Sequence, residues 1–246
     1  MRERALQWDG CVNVRDLGGH PTEDGAETAY GAVVRADNLT RLSDSGWDAL
    51  VAYGVSRIVD LRWADERADD PAHRHGVDVV HVALFGDESG PLAAERDLED
   101  EGGWADVRCD VYLERLEAHP DRFASAVEAV AEASDGCVAV HCAGGVDRTG
   151  LVSALVLRLS GVPIATIADD YASSELNWSP YVADWIGEAA DDRERERRRF
   201  LATIPSATMR CVLEALEGRY GSVHRYLVRA GASEESLRRV REKLRP

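Results

Sequence analysis

The chain has 246 residues, 45% of them apolar and 30% charged, with a mean hydropathy of -0.31. That length and balance describe a globular protein with one substantial core or two modest ones, and exclude a disordered or fibrous chain. Lys and Arg total 29 against 45 Asp and Glu, a net charge of -16 that opposes non-specific attraction to nucleic acid or an anionic membrane.

In chain order, Ser43-Asp44-Ser45 precede Trp47, Leu50, Val51 and Tyr53, which read as an N-capped helix ending at Gly54. The run Val55 to Leu61 predicts a strand, Val77 to Val82 a second, and Cys137 to His141 a third, fully buried one. A helix around Phe123 to Ala131 starts after Pro120-Asp121. After Thr149 the strand signals stop. Leu151 to Leu159 reads as a strongly apolar helix, Pro163 can open another, and residues 180–199, 206–217, 221–229 and 233–244 all read as helices. Strands alternating with helices predict an α/β fold, a central mostly parallel sheet flanked by helices with a helical C-terminal part over 163–246. No repeat, linker or composition break divides the chain, so residues 1–246 are expected to form a single domain.

Charge and cysteines narrow the chemistry. Residues 191–246 hold 14 basic and 9 acidic side chains (+5), leaving 15 and 36 (-21) for residues 1–190, so an anionic substrate needs a small local basic site acting against the wider field. The cysteines, Cys11, Cys109, Cys137, Cys142 and Cys211, are odd in number, widely separated and without a C-x-x-C pair. That spacing argues against a disulfide framework and a structural zinc site. Cys11, Cys137 and Cys211 read as small core fillers, and Cys109 has no nameable partner. No secretory signal and no membrane-length apolar run of roughly 18 residues is visible. A reducing, cytoplasmic setting without membrane insertion is the expectation.

In an open parallel sheet the functional crevice lies at the carboxyl ends of the strands. There the sequence reads His141-Cys142-Ala143-Gly144-Gly145-Val146-Asp147-Arg148-Thr149-Gly150. Successive amides in such a turn, at the start of a helix, form an anion-binding nest, and Gly144 and Gly145 allow positive φ. Arg148 can grip two phosphate oxygens with its planar fork. These surroundings favour the anionic form of Cys142, a nucleophile aimed at phosphorus. Thr149 can donate its hydroxyl to the sulfur, and His141 can hold the loop from behind through bonds to carbonyls.

The loop resembles the C-x5-R signature of the cysteine-dependent phosphatases. Its longer match is similar to the atypical bacterial tyrosine phosphatases of the mycobacterial phosphatase B type. Asn13 to Gly19, Asp60-Leu61-Arg62 with Glu66, Asp170 to Ser174 and Tyr220 to Leu227 extend the resemblance over nearly the whole chain. Two positions depart from the family pattern: Val146 stands where the family usually has Lys, leaving Lys243 as the single lysine, and Val14 replaces a Phe. The resemblance implies a double displacement that uses no metal or cofactor. Cys142 attacks the ester, the amides of residues 143–148 and Arg148 bind the phosphate oxygens, and water hydrolyses the cysteinyl phosphate. The implied partners are a phosphotyrosine protein and, in the loop, inorganic phosphate or another oxyanion. Phosphoserine and phosphothreonine are further candidate substrates, and the oligomeric state is left open.

The leaving group needs a proton, and Asp147 and Asp87 compete to supply it. Asp147 is favoured because its place beside Arg148 requires no assumption about how another segment folds. Arg15 and Asp16 could bind the substrate or brace the phosphate loop and read equally well as a structural corner, and Asp60 with Arg62 reads better as a buried ion pair orienting a loop. Trp178 and Trp185 read as packing residues, while Trp63 or Phe85 could line the cleft. Residues 86–117 exceed an ordinary connection of about 2 to 6 residues and resemble the family's helical lid. Two other functions fit the loop less well: a phosphoinositide phosphatase, disfavoured by Val146 and the acidic field, and a catalytically silent phosphate-binding module.

Overall fold

The computed structural model describes residues 3–68, 70, 76–87, 104–133 and 135–245. Among the described residues five strands form one sheet in the order β1-β2-β5-β3-β4: β1 (Arg15–Asp16), β2 (Val33–Ala36), β3 (Val55–Asp60), β4 (Asp78–His81) and β5 (Cys137–His141). Only β1 runs antiparallel to its neighbour; the other pairings are parallel. The three strands expected from hydrophobic pattern are β3, β4 and β5. The first two escaped notice because β1 has two residues and β2, Val-Val-Arg-Ala, carries an arginine within a four-residue apolar run.

Side chains alternate across the central strands, as a pleated sheet requires. Val138 and Val140 of β5 join the larger core, which takes in Leu151, Leu155, Tyr171 and Leu213, while Cys137 and Ala139 join a smaller one with Trp8, Trp47 and Leu50. Helix α1 (Asp44–Ala52) closes the smaller face, and Ser43 caps it by accepting from the Gly46 amide at 3.1 Å. The larger face is covered by α3 (Pro120–Ala131), the almost wholly buried α4 (Asp147–Leu159) and the helices that follow.

Two helices depart from the pattern reading. The helix beginning after Pro163 is α5 (Ile164–Gly187), which continues through Pro180, so no helix spans 180–199. The chain breaks instead at residues 188–191, and Asp191 caps α6 (Asp192–Ala202) by accepting from Glu194 N at 2.7 Å. A capping aspartate outweighed the continuous charged pattern. The last three helices, α7 (Ser206–Tyr220), α8 (Val223–Arg229) and α9 (Glu234–Leu244), lie within a few residues of their expected ranges.

Residues 88–103 of the expected cover lie outside the described residues. Its far end is α2 (Trp104–Ala118), whose Cys109, Val111, Tyr112 and Leu116 are buried in the larger core. Cys109 is moreover disulfide-bonded to Cys211 of α7. The reading of these two cysteines as unpaired is therefore corrected; 102 residues separate them, and only the packing of α2 on α7 brings them together. Cys11, Cys137 and Cys142 are free. Among the described residues no helix is long and apolar enough to cross a membrane.

Candidate active site

The parallel register places Ala36 of β2 and Asp60 of β3 on either side of His141, so three strands end at one level. The chain leaves β5 at His141 and re-enters regular structure as α4 at Asp147, with Cys142 between them and 2% exposed. The turn is held by its carbonyls. Ala143 O accepts from Asn38 N at 3.2 Å. Gly144 O accepts from Asn13 Nδ2 at 3.1 Å and Trp178 Nε1 at 3.0 Å. Gly145 O accepts from Asn13 Nδ2 at 3.2 Å and Arg35 Nη2 at 2.8 Å. All peptide bonds here are trans. In a trans peptide the next N–H points opposite to the C=O, so pinning three successive carbonyls outward turns the amides of residues 144–146 to the other side. Only Gly145 has positive φ, +65°; a Cβ there would lie 2.7 Å from Ala36 O. Gly144 does not need that freedom.

Arg148, 7% exposed, reaches back from the first turn of α4. Its Nη2 donates to Glu66 Oε1 at 2.9 Å, its Nη1 donates to Glu66 Oε2, and its guanidinium carbon lies 4.3 Å from the Trp63 ring centroid. Burial disfavours its charge, but Glu66 and the neighbouring Cys142 and Asp147 prevail and its pKa is raised. Two N–H groups engage Glu66, and the planar fork has three more for an oxyanion. Thr149 is fully buried, and among the described residues its hydroxyl has no hydrogen-bond partner. Inward amides, a helix N-terminus and a fixed guanidinium around a sulfur make a geometry suited to a tetrahedral oxyanion.

Behind this loop lie two buried ionic assemblies. In the first, Asp170 of α5 accepts from Arg15 Nε at 3.0 Å, Arg35 Nη1 at 2.8 Å and Arg4 Nη1 at 3.1 Å. Burial opposes its ionisation, yet Arg15, His20 and Arg35 hold its carboxyl well below the usual range. Arg15 also donates to Asn13 Oδ1 at 2.7 Å, so the assembly orients both side chains that pin Gly145 O. Arg15 thus contacts the loop's supports, and Asp16 braces a turn, accepting from Gly18 N at 2.6 Å, Gly31 N at 2.7 Å and the Tyr53 hydroxyl.

In the second, Asp60 accepts from Arg62 Nη2 at 2.7 Å and Nε at 3.0 Å, and Arg62 Nη1 donates to Glu66 O at 3.1 Å. The pair shapes the segment that presents Trp63 and Glu66 to Arg148. His141 belongs here too, with Nε2 3.6 Å from Asp60 Oδ1 and Nδ1 3.3 Å from Cys142 O. Burial lowers its pKa to about 4, against the pull of Asp60, so the ring is neutral at pH 7.

The two acid candidates sit in different surroundings. Asp147 is half-buried at the start of α4, and its Oδ1 accepts from the Tyr112 hydroxyl. Asp87 is exposed, with both oxygens bound by Arg122 Nη2 at 2.9 and 3.0 Å. Phe85 packs edge-on to Trp63, with centroids 6.3 Å apart. Trp178, read as a packing residue, also donates to the loop.

Sequence reasoning missed Arg35, Glu66, Tyr112, Tyr171 and the hydrogen-bonding role of Trp178. Glu66 and Asn13 stood inside recognised motifs, and the charge in β2 was a signal for Arg35. Tyr112 carries no local signal at all.

Comparison with known proteins agrees with this geometry. The model of the tyrosine phosphatase family matches residues 6–246. A tyrosine-protein phosphatase of Nostoc commune is 32% identical, over 87% of this chain and 74% of its own. The triple specificity protein phosphatase PtpB of Mycobacterium tuberculosis is 28% identical, over 94% of this chain and 96% of its own. With the match covering the whole described fold and the loop that ends β5, the chain belongs to the tyrosine phosphatase family and is a protein-tyrosine phosphatase.

Proposed function

We propose that the enzyme hydrolyses phosphotyrosine in proteins through a cysteinyl-phosphate intermediate. The Cys142 sulfur attacks phosphorus, the phosphorus–oxygen ester bond breaks, and the tyrosine oxygen leaves with a proton from Asp147. A water molecule then attacks the phosphocysteine, gives its proton to the Asp147 carboxylate, and releases inorganic phosphate and the free thiolate. The amides of the loop and Arg148 hold the equatorial oxygens in both steps; losing one such donor costs about 10²–10³ in rate. The Thr149 hydroxyl supports departure of the sulfur, and His141 stays neutral and holds the loop.

The observation that carries this reading is the outward pinning of the carbonyls of Ala143, Gly144 and Gly145, which presents an amide cradle beside Cys142 and the Glu66-held Arg148. Asp147 is preferred to Asp87 because it lies on the loop itself, whereas Asp87 is exposed and held by Arg122. The name of the M. tuberculosis relative extends the proposal to phosphoserine and phosphothreonine. Val146 leaves the loop without a lysine charge, which favours phosphoproteins over multiply phosphorylated lipid head groups. The Cys109–Cys211 disulfide does not support the reducing, cytoplasmic setting expected from the cysteine spacing, because such bonds persist mainly in oxidising environments.

Rapid acid quenching with a labelled aryl phosphate tests it. Label is expected on Cys142 in the parent protein, and none in Cys142→Ser, which should still bind a phosphotyrosine peptide. Turnover by Cys142→Ser, or absence of trapped label at any quench time, would overturn the reading.

A further inference from the structure

Tyr112 and Tyr171 lie beside the loop without belonging to it. Both are buried, Tyr112 on α2 at 0% exposure and Tyr171 on α5 at 1%. Their rings pack edge-on at 6.4 Å, and their hydroxyl oxygens are 2.9 Å apart. Tyr112 also touches Asp147 Oδ1, and Arg108 Nη1 lies 3.5 Å from the Tyr171 oxygen. Arg108 is itself fixed, donating to Thr203 O at 2.7 Å and Phe200 O at 3.0 Å.

Donor counting gives this row a direction. A guanidinium only donates and a carboxylate only accepts, while each phenol has a single hydrogen. Arg108 therefore donates to Tyr171, Tyr171 to Tyr112, and Tyr112 to Asp147. Burial, followed by the Asp147 charge, pushes the Tyr112 phenol well above its ordinary pKa, which keeps that hydrogen in place.

We propose that Tyr112 is a positioning residue for the proton transfer, occupying Asp147 Oδ1 so that Oδ2 carries the proton to the departing oxygen and collects one from water in the second step. This rests on the reading of Asp147 as the general acid. Tyr112 does not touch the reacting atoms. It orients the carboxyl plane, and its bond strengthens when the proton has left Asp147, because a hydrogen bond to an ionised acceptor is the stronger kind. The Cys109–Cys211 disulfide, one turn from Tyr112 on α2, holds the helix that supplies this donor.

Leaving-group dependence separates positioning from mere packing. A dinitrophenolate departs without a proton, whereas a phenolate needs one, so loss of a well-placed acid raises the ratio of kcat/KM on 2,4-dinitrophenyl phosphate to kcat/KM on phenyl phosphate. General acid catalysis contributes about 10²–10⁴-fold, so Asp147→Asn is expected to raise that ratio by about that range and Tyr112→Phe by about tenfold. Tyr171→Phe, which removes the next donor in the row, should raise the ratio by a smaller amount and serves if Tyr112→Phe does not fold. A ratio raised by Asp147→Asn but unchanged in both tyrosine variants, with substrates slowed alike, overturns the positioning role and leaves the acid assignment standing. A ratio unchanged in Asp147→Asn removes the acid assignment and the positioning role together.

Discussion

Arg148 and Glu66, 82 residues apart in sequence, meet fork to fork over the ring of Trp63. The contact holds the guanidinium in one orientation, which the proposed mechanism uses to grip phosphate. Glu66→Gln keeps the size of the side chain and removes the charge. It is expected to lower kcat/KM on an aryl phosphate by about tenfold to a hundredfold, the equivalent of the about 1.5–3 kcal/mol of a hydrogen bond between charged groups. Vanadate affinity should fall with it; unchanged kinetics would remove Glu66 from the account.

Asp170 neutralises Arg15 and Arg35 in a region where none of the three is more than 6% exposed at the side chain. Asp170→Asn leaves two buried guanidinium groups without their carboxylate. Breaking a buried pair in this way costs about 3–5 kcal/mol, and urea unfolding should register a loss of that order. Because Arg35 also holds Gly145 O, phosphate affinity should fall even at temperatures where the variant stays folded.

His141 makes stability fall on acidification. The unfolded chain takes up a proton near the ordinary value of 6.5, whereas burial holds the folded ring neutral down to about 4. Between those values unfolding binds a proton, so stability is complete above pH 6.5 and declines toward pH 4, by about 3 kcal/mol in all. Denaturant unfolding across that window should show the decline in the parent protein. In His141→Gln it should be smaller by about that amount, and equal slopes in the two proteins would contradict the assignment.

The Cys109–Cys211 bond closes a loop of about a hundred residues between α2 and α7. Replacing both cysteines by serine is expected to lower unfolding free energy by about 2–4 kcal/mol, and a dithiol reductant should lower the melting temperature of the parent but not of the variant. A parent protein indifferent to reductant would show that this bond does not contribute to stability.

Several parts of the molecule were readable without coordinates because their causes are local. The apolar run Cys137 to His141 forms a central strand wherever it is covered on both faces, and Pro120 and Ser43 start helices through their own backbone and side-chain chemistry. The ten residues from His141 to Gly150 carry the thiol, the glycine and the arginine of the site in one stretch, and the extended motif match identified the family. The helix break before Asp191 and the two-residue strand at Arg15 were harder to read, since each turns on one capping or pairing interaction.

What holds those residues ready depends on segments far away in the chain. Asn13 reaches the loop carbonyls from just before β1, Arg35 from β2 and Trp178 from α5; Glu66 reaches Arg148 from beyond β3; Tyr112 reaches Asp147 from α2. The same holds for Cys109 and Cys211, which show no pairing signal in sequence. Local sequence determines a residue's chemical type and its backbone preference, whereas the direction of a hydrogen bond between side chains tens of residues apart exists only once packing has brought the helices and strands into register.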